Sequence, residues 1–222
     1  MKKVLVAIPN YNDADLAEDM LQHLSSQTNQ DFDVVICDDC STDDSLEQLR
    51  CLKDNYNFKL MTNSCNLGIG RTLNNIIENN QHDYVTWFGM GDVPMKDYIE
   101  EHLSNIKGYD ASASAFRHLG HKFHNQVTIP DWSFRNYSYT IGASYMFSWD
   151  TWLRCGPYSA LPGEDFLFWA KAKVSRLKVA FTCKVLKVYL WRNKGVSNEL
   201  RNKPKIGPLA THYAVHLLKG VP

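Results

Sequence analysis

Four short apolar segments in the first half of the chain alternate with segments of helical periodicity. The apolar segments are "KVLVAI", "FDVVICDD", "FKLMT" and "DYVTWF", each of about the length of one β-strand. Strands that alternate with helices of about 10–15 residues are typical of βαβ units with parallel strands. At 222 residues the chain is long enough for one sizeable core. The sequence therefore predicts an α/β fold, a mostly parallel sheet flanked by helices in a single domain. Further along, "GASYMFSWDTWLRCG" predicts a strand and a short helix capped by Asp150.

The loops that follow the four strands contain the polar residues of interest. In open parallel sheets, ligands bind outside the carboxyl ends of the strands. The loops here are "PNYND", "DDCSTDD", "NSCNLGIGR" and "GMGD", and three of the four contain carboxylates. Gly68 and Gly70 do not form a dinucleotide-binding motif, because that motif follows the first strand. A ligand site at this edge is expected, and a dinucleotide-binding domain is disfavoured.

The net charge of zero conceals a strong asymmetry along the chain. Residues 1–150 contain 11 Lys and Arg against 21 Asp and Glu, whereas residues 151–222 contain 13 against 3. The basic part is either a solvated surface or a face for an anionic ligand, such as a phosphate-bearing donor, nucleic acid or a membrane surface.

The cysteines and the apolar runs bear on the compartment. Six cysteines without a recognisable secretion signal predict reduced thiols and a cytoplasmic location. No stretch approaches the roughly 18 apolar residues that span a bilayer, so no transmembrane segment is predicted.

Five fragments in a fixed order narrow the function. They are "AIPNYN", "VVICDDCSTDDSLEQL", "NLGIGRTLN", "DYVTWFGMGDVP" and "GPYSALPGEDFLFW". In this order, over residues 3–198, the chain resembles the family 2 glycosyltransferases. The resemblance implies the GT-A fold, with its Rossmann-like sheet. It also implies an inverting enzyme that transfers a hexosyl or pentosyl group from a nucleotide sugar, expected to be a UDP-sugar.

The resemblance assigns a donor site to the first loops. Pro9, Tyr11 and Asp39, with Asp38 beside it, would frame the nucleotide base and ribose. A carboxylate at a strand end can accept hydrogen bonds from a base N–H or a ribose hydroxyl. Arg71 is assigned to the base or a phosphate, although the family's usual arginine lies two positions later. The competing interpretation of the aspartates is turn and helix-cap chemistry.

The "PGEDF" fragment carries the implied catalytic pair. Asp165 matches the family's general base, which takes the proton of the acceptor hydroxyl as that hydroxyl attacks the sugar. Glu164 would orient it or bind the acceptor. The competing interpretation is an acidic pair that complements the dipole at a helix N-terminus.

The resemblance also implies a metal and positive charge near the donor diphosphate. In "GMGD", Gly91 and Asp92 fall on the family's metal motif, and Asp92 would touch Mn²⁺ or Mg²⁺. In "WRNKGVS", Arg192 and Lys194 would neutralise the diphosphate, with Lys194 where the family often has a histidine. Two solvated basic residues are the alternative.

The resemblance also implies how the chain is organised. Residues 1–108 would form the nucleotide-sugar half and residues 109–198 the acceptor-binding and catalytic half of one domain, with a basic tail at 199–222. A glycan or an anionic polymer, such as DNA with a hydroxylated base, is the expected acceptor. The alternative function is a degenerate GT-A domain that binds a nucleotide or a partner without catalysis. The sequence gives no oligomeric state.

Overall fold

The first half of the chain forms a parallel sheet with helical connections. The computed structural model describes residues 3–120, 125–130, 143–160 and 164–190. The elements of the first half are β1 (Val4–Asn10), a 3-10 turn (Ala14–Leu16), α1 (Ala17–Ser25), β2 (Phe32–Asp38), α2 (Ser45–Leu52), β3 (Lys59–Thr62), α3 (Ile69–Glu78) and β4 (Tyr84–Trp87). Strand β1 pairs in parallel with β2 and β4, and β2 pairs in parallel with β3. The predicted βαβ units are confirmed here.

The second half extends the same sheet with mixed strand directions. Its elements are β5 (Val93–Pro94), α4 (Tyr98–Asn105), β6 (Ala111–Leu119), β7 (Val127–Thr128), β8 (Tyr145–Ser148), α5 (Trp149–Cys155), α6 (Glu164–Val174) and β9 (Val179–Leu190). The strand order is β3-β2-β1-β4-β8-β6-β9-β5, with β7 on β6. Strand β8 runs antiparallel to both β4 and β6, whereas β6 and β9 are parallel. The sheet is therefore parallel over its first four strands and mixed beyond them.

Strand β1 shows why the sheet has a core on each face. Its side chains alternate between two hydrophobic clusters, with Leu5 and Ala7 in one and Val4, Val6 and Ile8 in the other. One cluster packs beneath α3, α5 and α6, and the other beneath α1, α2 and α4. Because helices cover both faces, β1 is apolar without alternation in the sequence.

One helix begins at a different residue from the one predicted. Ser148 precedes α5, and its Oγ accepts a hydrogen bond from the backbone N–H of Thr151 at 3.2 Å. The prediction of Asp150 as the cap is wrong, since Asp150 lies in the first turn with its carboxylate 3.6 Å from Arg154. Along the described stretches, no helix combines the length and apolar composition that crossing a bilayer requires.

Candidate active site

The carboxyl ends of the parallel strands meet at one edge of the sheet. Backbone hydrogen bonds join the loops there, since Asp39 N–H donates to Asn10 O at 2.8 Å and Asn63 N–H donates to Asp38 O at 2.9 Å. The loops after β1, β2 and β3 are thus brought together, as the sequence predicts.

Asp39 ties the loop after β2 to the start of α3. It is 3 % exposed, and Oδ1 accepts from Asn63 Nδ2 and from Leu67 N–H, both at 2.8 Å. Oδ2 accepts from Gly68 N–H at 2.8 Å, where the backbone takes the left-handed φ of 80° that favours glycine. Asp39 therefore orders the edge of the sheet at which ligands bind in open parallel sheets.

Asp38 has a different set of hydrogen-bond partners. Its Oδ1 accepts from Asn10 Nδ2 at 2.8 Å and from Ser41 Oγ at 2.6 Å, and Oδ2 accepts from Ser41 N–H at 3.0 Å. With 1 % exposure, the carboxylate holds the β1 and β2 loops together. The structure thus separates the two adjacent aspartates that the sequence groups in one site.

The remaining donor-site candidates of the first half also lie at this edge. Pro9 is half-buried near the end of β1, and Tyr11, just beyond it, is 43 % exposed. Arg71 is exposed on α3 and lines a cavity of about 610 Å³. Asn63, which donates to Asp39, lines the same cavity, so Arg71 lies beside the Asp39 contacts.

Asp92 is paired with a lysine that the sequence analysis missed. Lys187 Nζ lies 2.8 Å from Asp92 Oδ2, which also accepts from Gly89 N–H at 2.9 Å. The two side chains are 1 % and 5 % exposed. The ammonium lies 5.8 Å and 5.2 Å from the ring centroids of Trp87 and Phe88. A buried charge pair of this kind stands at the carboxyl end of β4.

A weak signal for Lys187 exists in the sequence. It is the lysine that interrupts the apolar run "VLKVYL". A buried lysine needs a partner. The partner is 95 positions away and becomes visible only when β9 lies beside β5.

Asp165 lies in the first turn of α6 and faces a cluster of aromatic hydroxyls. Tyr145 Oη donates to Asp165 Oδ1 at 2.6 Å and lies 3.3 Å from Tyr158 Oη. Trp87 Nε1 in turn donates a short hydrogen bond to Tyr145 Oη. The sequence points to Asp165 but not to Tyr145. Tyr145 lies on β8, and this strand places its hydroxyl beside the Asp165 carboxylate.

The surroundings of Asp165 hold its proton unusually strongly. Removal from water, and then the negative charge of Glu164, raise the pKa of Asp165 to about 7. The hydrogen bond from Tyr145 and the positive charge of Lys187 act in the opposite direction, and the charge of Asp92 raises the pKa further. A carboxyl group with a pKa near neutrality suits proton transfer.

A match to a known family accounts for this arrangement. The model of the family described as "Glycosyl transferase family 2" matches residues 5–165. The chain belongs to this family. The match runs from β1 to Asp165 and includes the turn that carries Asp92. The family predicted from the five fragments is confirmed.

Two relatives of this chain are glycosyltransferases. Abequosyltransferase RfbV of Salmonella typhimurium is 34% identical over 96 residues, which are 41% of this chain and 29% of RfbV. The poly(ribitol-phosphate) beta-N-acetylglucosaminyltransferase TarS of Staphylococcus aureus is 30% identical over 118 residues, which are 48% of this chain and 20% of TarS. The matched region spans a minor part of both relatives.

Solved structures share the fold. Residues 1–349 of S. aureus TarS in complex with UDP-GlcNAc superpose with a TM-score of 0.74 at 21% identity, over 87% of this chain and 60% of that chain. The mannosyltransferase PcManGT of Pyrobaculum calidifontis, in complex with GDP-Man and Mn²⁺, gives 0.77 at 16% identity, over 99% and 68%. The predicted GT-A fold of this family 2 chain is confirmed.

The described residues do not fit a resident metal ion. Among them, no group of three or more His, Cys, Asp or Glu side chains is arranged to hold a metal. Asp92 Oδ2 is hydrogen-bonded to the ammonium of Lys187, a positive charge that repels a cation. Gly89 and Gly91, which precede Asp92, have no side chains to add ligands.

Some predicted residues of this family 2 chain lie outside the described residues. They are Arg192, Lys194 and the basic segment 199–222. Their assignments stay predictions.

Proposed function

We propose that this chain is an inverting glycosyltransferase that transfers a sugar from a nucleotide-sugar donor, a UDP-sugar, to a hydroxyl of an acceptor. The observation that carries the proposal is Asp165, a carboxyl group of raised pKa held by Tyr145 in a family 2 fold. The UDP-GlcNAc bound to TarS supports the choice of donor.

The chemistry is a single displacement at C1 of the donor sugar. Asp165 takes the proton of the acceptor hydroxyl while that oxygen forms a bond to C1. The bond from C1 to the diphosphate oxygen breaks, and the nucleoside diphosphate leaves with the electron pair. Attack from the face opposite the leaving group inverts the anomeric configuration.

Each half of the domain has its own task in the proposal. Residues 1–108 hold the donor through Pro9, Tyr11 and Asp39, and residues 109–198 supply Asp165 and the acceptor site. Glu164 keeps the pKa of Asp165 raised by its negative charge. Arg192 and Lys194 are assigned to the diphosphate, where a positive charge stabilises the negative charge that develops on the leaving group.

A polyhydroxylated acceptor is favoured over nucleic acid. The name of TarS specifies poly(ribitol-phosphate) as what that protein modifies, which supports a glycan or a polyol-phosphate polymer here. The relatives give a DNA acceptor no support. We also propose a cytoplasmic location, which the six free thiols support.

Donor turnover tests the proposal directly. The protein is incubated with radiolabelled UDP-, GDP-, CDP- and dTDP-sugars, each with and without oligosaccharide and ribitol-phosphate acceptors. We expect slow hydrolysis of one donor and faster loss when its acceptor is present, with an inverted anomeric centre in the product by NMR. Binding of a nucleotide sugar without turnover on any acceptor would favour the degenerate domain instead.

The pH dependence of turnover follows from the state of Asp165. The base must be ionised, so kcat/KM is expected to rise with pH through a midpoint near 7, the pKa of Asp165, and then to level off. Tyr145 donates to the ionised form, and Tyr145→Phe should therefore move the midpoint of the profile to higher pH. Profiles of both proteins at constant ionic strength provide the measurement. A flat profile between pH 5 and 9 would contradict the role of Asp165.

A further inference from the structure

Lys187 lies on β9, between β5 and β6, and its side chain reaches the candidate donor site at the carboxyl end of β4. In the sheet its neighbours are Pro94 of β5 and Phe116 of β6. Asp92, its partner, immediately precedes β5. The side chain therefore extends to the turn that ends β4, the edge at which ligands bind in such sheets.

The ammonium has hydrogen-bonding capacity beyond its carboxylate partner. An ammonium has three N–H donors, and among the described residues Asp92 Oδ2 is the acceptor within hydrogen-bonding distance. The other donors can bind phosphate oxygens. The side chain is 1 % exposed, so donor binding requires the flexible four-carbon stem to move and turn Nζ toward the ligand.

The charges around the site require a cation when a diphosphate binds. The negative charges of Glu164 and Asp92 both raise the pKa of Asp165. A diphosphate brings further negative charge to the same place. Of the described cations, Lys187 is the one that acts on Asp165 and is held at the end of β4.

We propose that Lys187, positioned by Asp92, binds the donor diphosphate and supplies the positive charge that a divalent metal would otherwise provide, so that donor binding is independent of metal. The inference rests on the proposed function, since it assigns a ligand to the same site. Lys187 then stabilises the negative charge that develops on the leaving diphosphate. Asp92 acts through Lys187 as a positioning residue.

Calorimetric titration in excess EDTA tests the inference on the unmodified protein. The probes are UDP, GDP, CDP and dTDP, together with the four corresponding nucleosides. One diphosphate is expected to bind at least about tenfold more tightly than its nucleoside without metal, because hydrogen bonds between charged groups contribute that much. Added Mn²⁺ should change that ratio by less than about threefold.

Variants then test whether Lys187 is the source of the tighter binding of the diphosphate relative to the nucleoside. Lys187→Met removes the charge and should reduce the ratio at least about tenfold while the nucleoside affinity stays. Lys187→Arg should recover part of it. Lys184→Met is the matched control, since Lys184 lies on the same strand and its ammonium is paired with Asp97 and Glu101. It should leave the ratio unchanged.

The outcomes separate this inference from the proposed function. If a diphosphate binds more tightly than its nucleoside only when Mn²⁺ is added, the inference is overturned and the proposed glycosyltransferase function still holds. A Lys187→Met protein with an unchanged ratio overturns it as well. Failure of every nucleotide to bind, with or without Mn²⁺, overturns the proposed function. If Lys187→Met does not fold, the double variant Asp92→Asn/Lys187→Met replaces it, because it removes both charges of the buried pair. The titration in EDTA uses the unmodified protein and does not depend on any variant.

Discussion

Asp165→Asn is expected to lower turnover by a factor of about 10²–10⁴, the usual contribution of a general base. The amide has the shape of the carboxyl group, and its oxygen can still accept the hydrogen bond from Tyr145 Oη. It cannot take a proton from the acceptor hydroxyl. Because the proposal assigns donor binding to the loops of the first half, nucleotide affinity should stay within about threefold of the unmodified protein. Single-turnover transfer and calorimetric titration measure the two quantities.

A second acidic residue provides the matched control for this prediction. Asp150 lies in the first turn of α5, as Asp165 lies in the first turn of α6. Its side chain is 68% exposed and is paired with Arg154. Asp150→Asn should leave turnover unchanged, because complementing a helix dipole is its role. Equal losses in the two variants, or more than a tenth of the activity left in Asp165→Asn, would refute the general-base assignment.

The part of the structure that follows from local patterns was predictable from the sequence. Strands β1 to β4 are apolar segments of strand length separated by helical periodicity, and both signals come from neighbouring residues. The sequence points to Asp39 and Asp92 as candidates because ligands bind at the carboxyl ends of parallel strands. The order of the five fragments added Asp165, a position that no local pattern would have selected.

Contacts between distant segments were not predictable. Lys187 meets Asp92 because β9 lies beside β5, and Tyr145 meets Asp165 because β8 faces α6. Both contacts join segments that lie far apart in the sequence, so no local pattern reveals them. The consequence is chemical, because Asp92, the carboxylate that is predicted to bind a metal, is hydrogen-bonded to the ammonium of Lys187.

The adjacent aspartates illustrate a finer limit. Successive residues at a strand end point in opposite directions, and the sequence does not tell which one faces the ligand. In the structure Asp38 is directed at Asn10 and Ser41, whereas Asp39 reaches the start of α3. The resemblance to the family places both aspartates in one site, and the hydrogen bonds distinguish them.

Asp39→Ala is therefore expected to weaken both the fold and donor binding. The variant removes a carboxylate that accepts three hydrogen bonds, from Asn63, Leu67 and Gly68. The free energy of unfolding should fall by about 2–4 kcal/mol, because hydrogen bonds to a charged group contribute roughly 1.5–3 kcal/mol each and water replaces part of them. Urea denaturation followed by circular dichroism measures this loss.

The effect on the donor separates the structural role of Asp39 from a binding role. A carboxylate has about four lone-pair sites, and three donors leave about one for a base or ribose group. The Asp39→Asn side chain keeps an oxygen that accepts a hydrogen bond from the start of α3, but it loses the negative charge. The variant should therefore be more stable than Asp39→Ala. It should still bind the nucleoside at least about tenfold more weakly than the unmodified protein. Asp44→Asn is the control, since that exposed carboxylate accepts from Gln48 on α2 and should change neither quantity. If Asp39→Asn loses stability but binds the nucleoside normally, Asp39 shapes the loops without touching the donor, and the base must be recognised by Pro9, Tyr11 or Arg71.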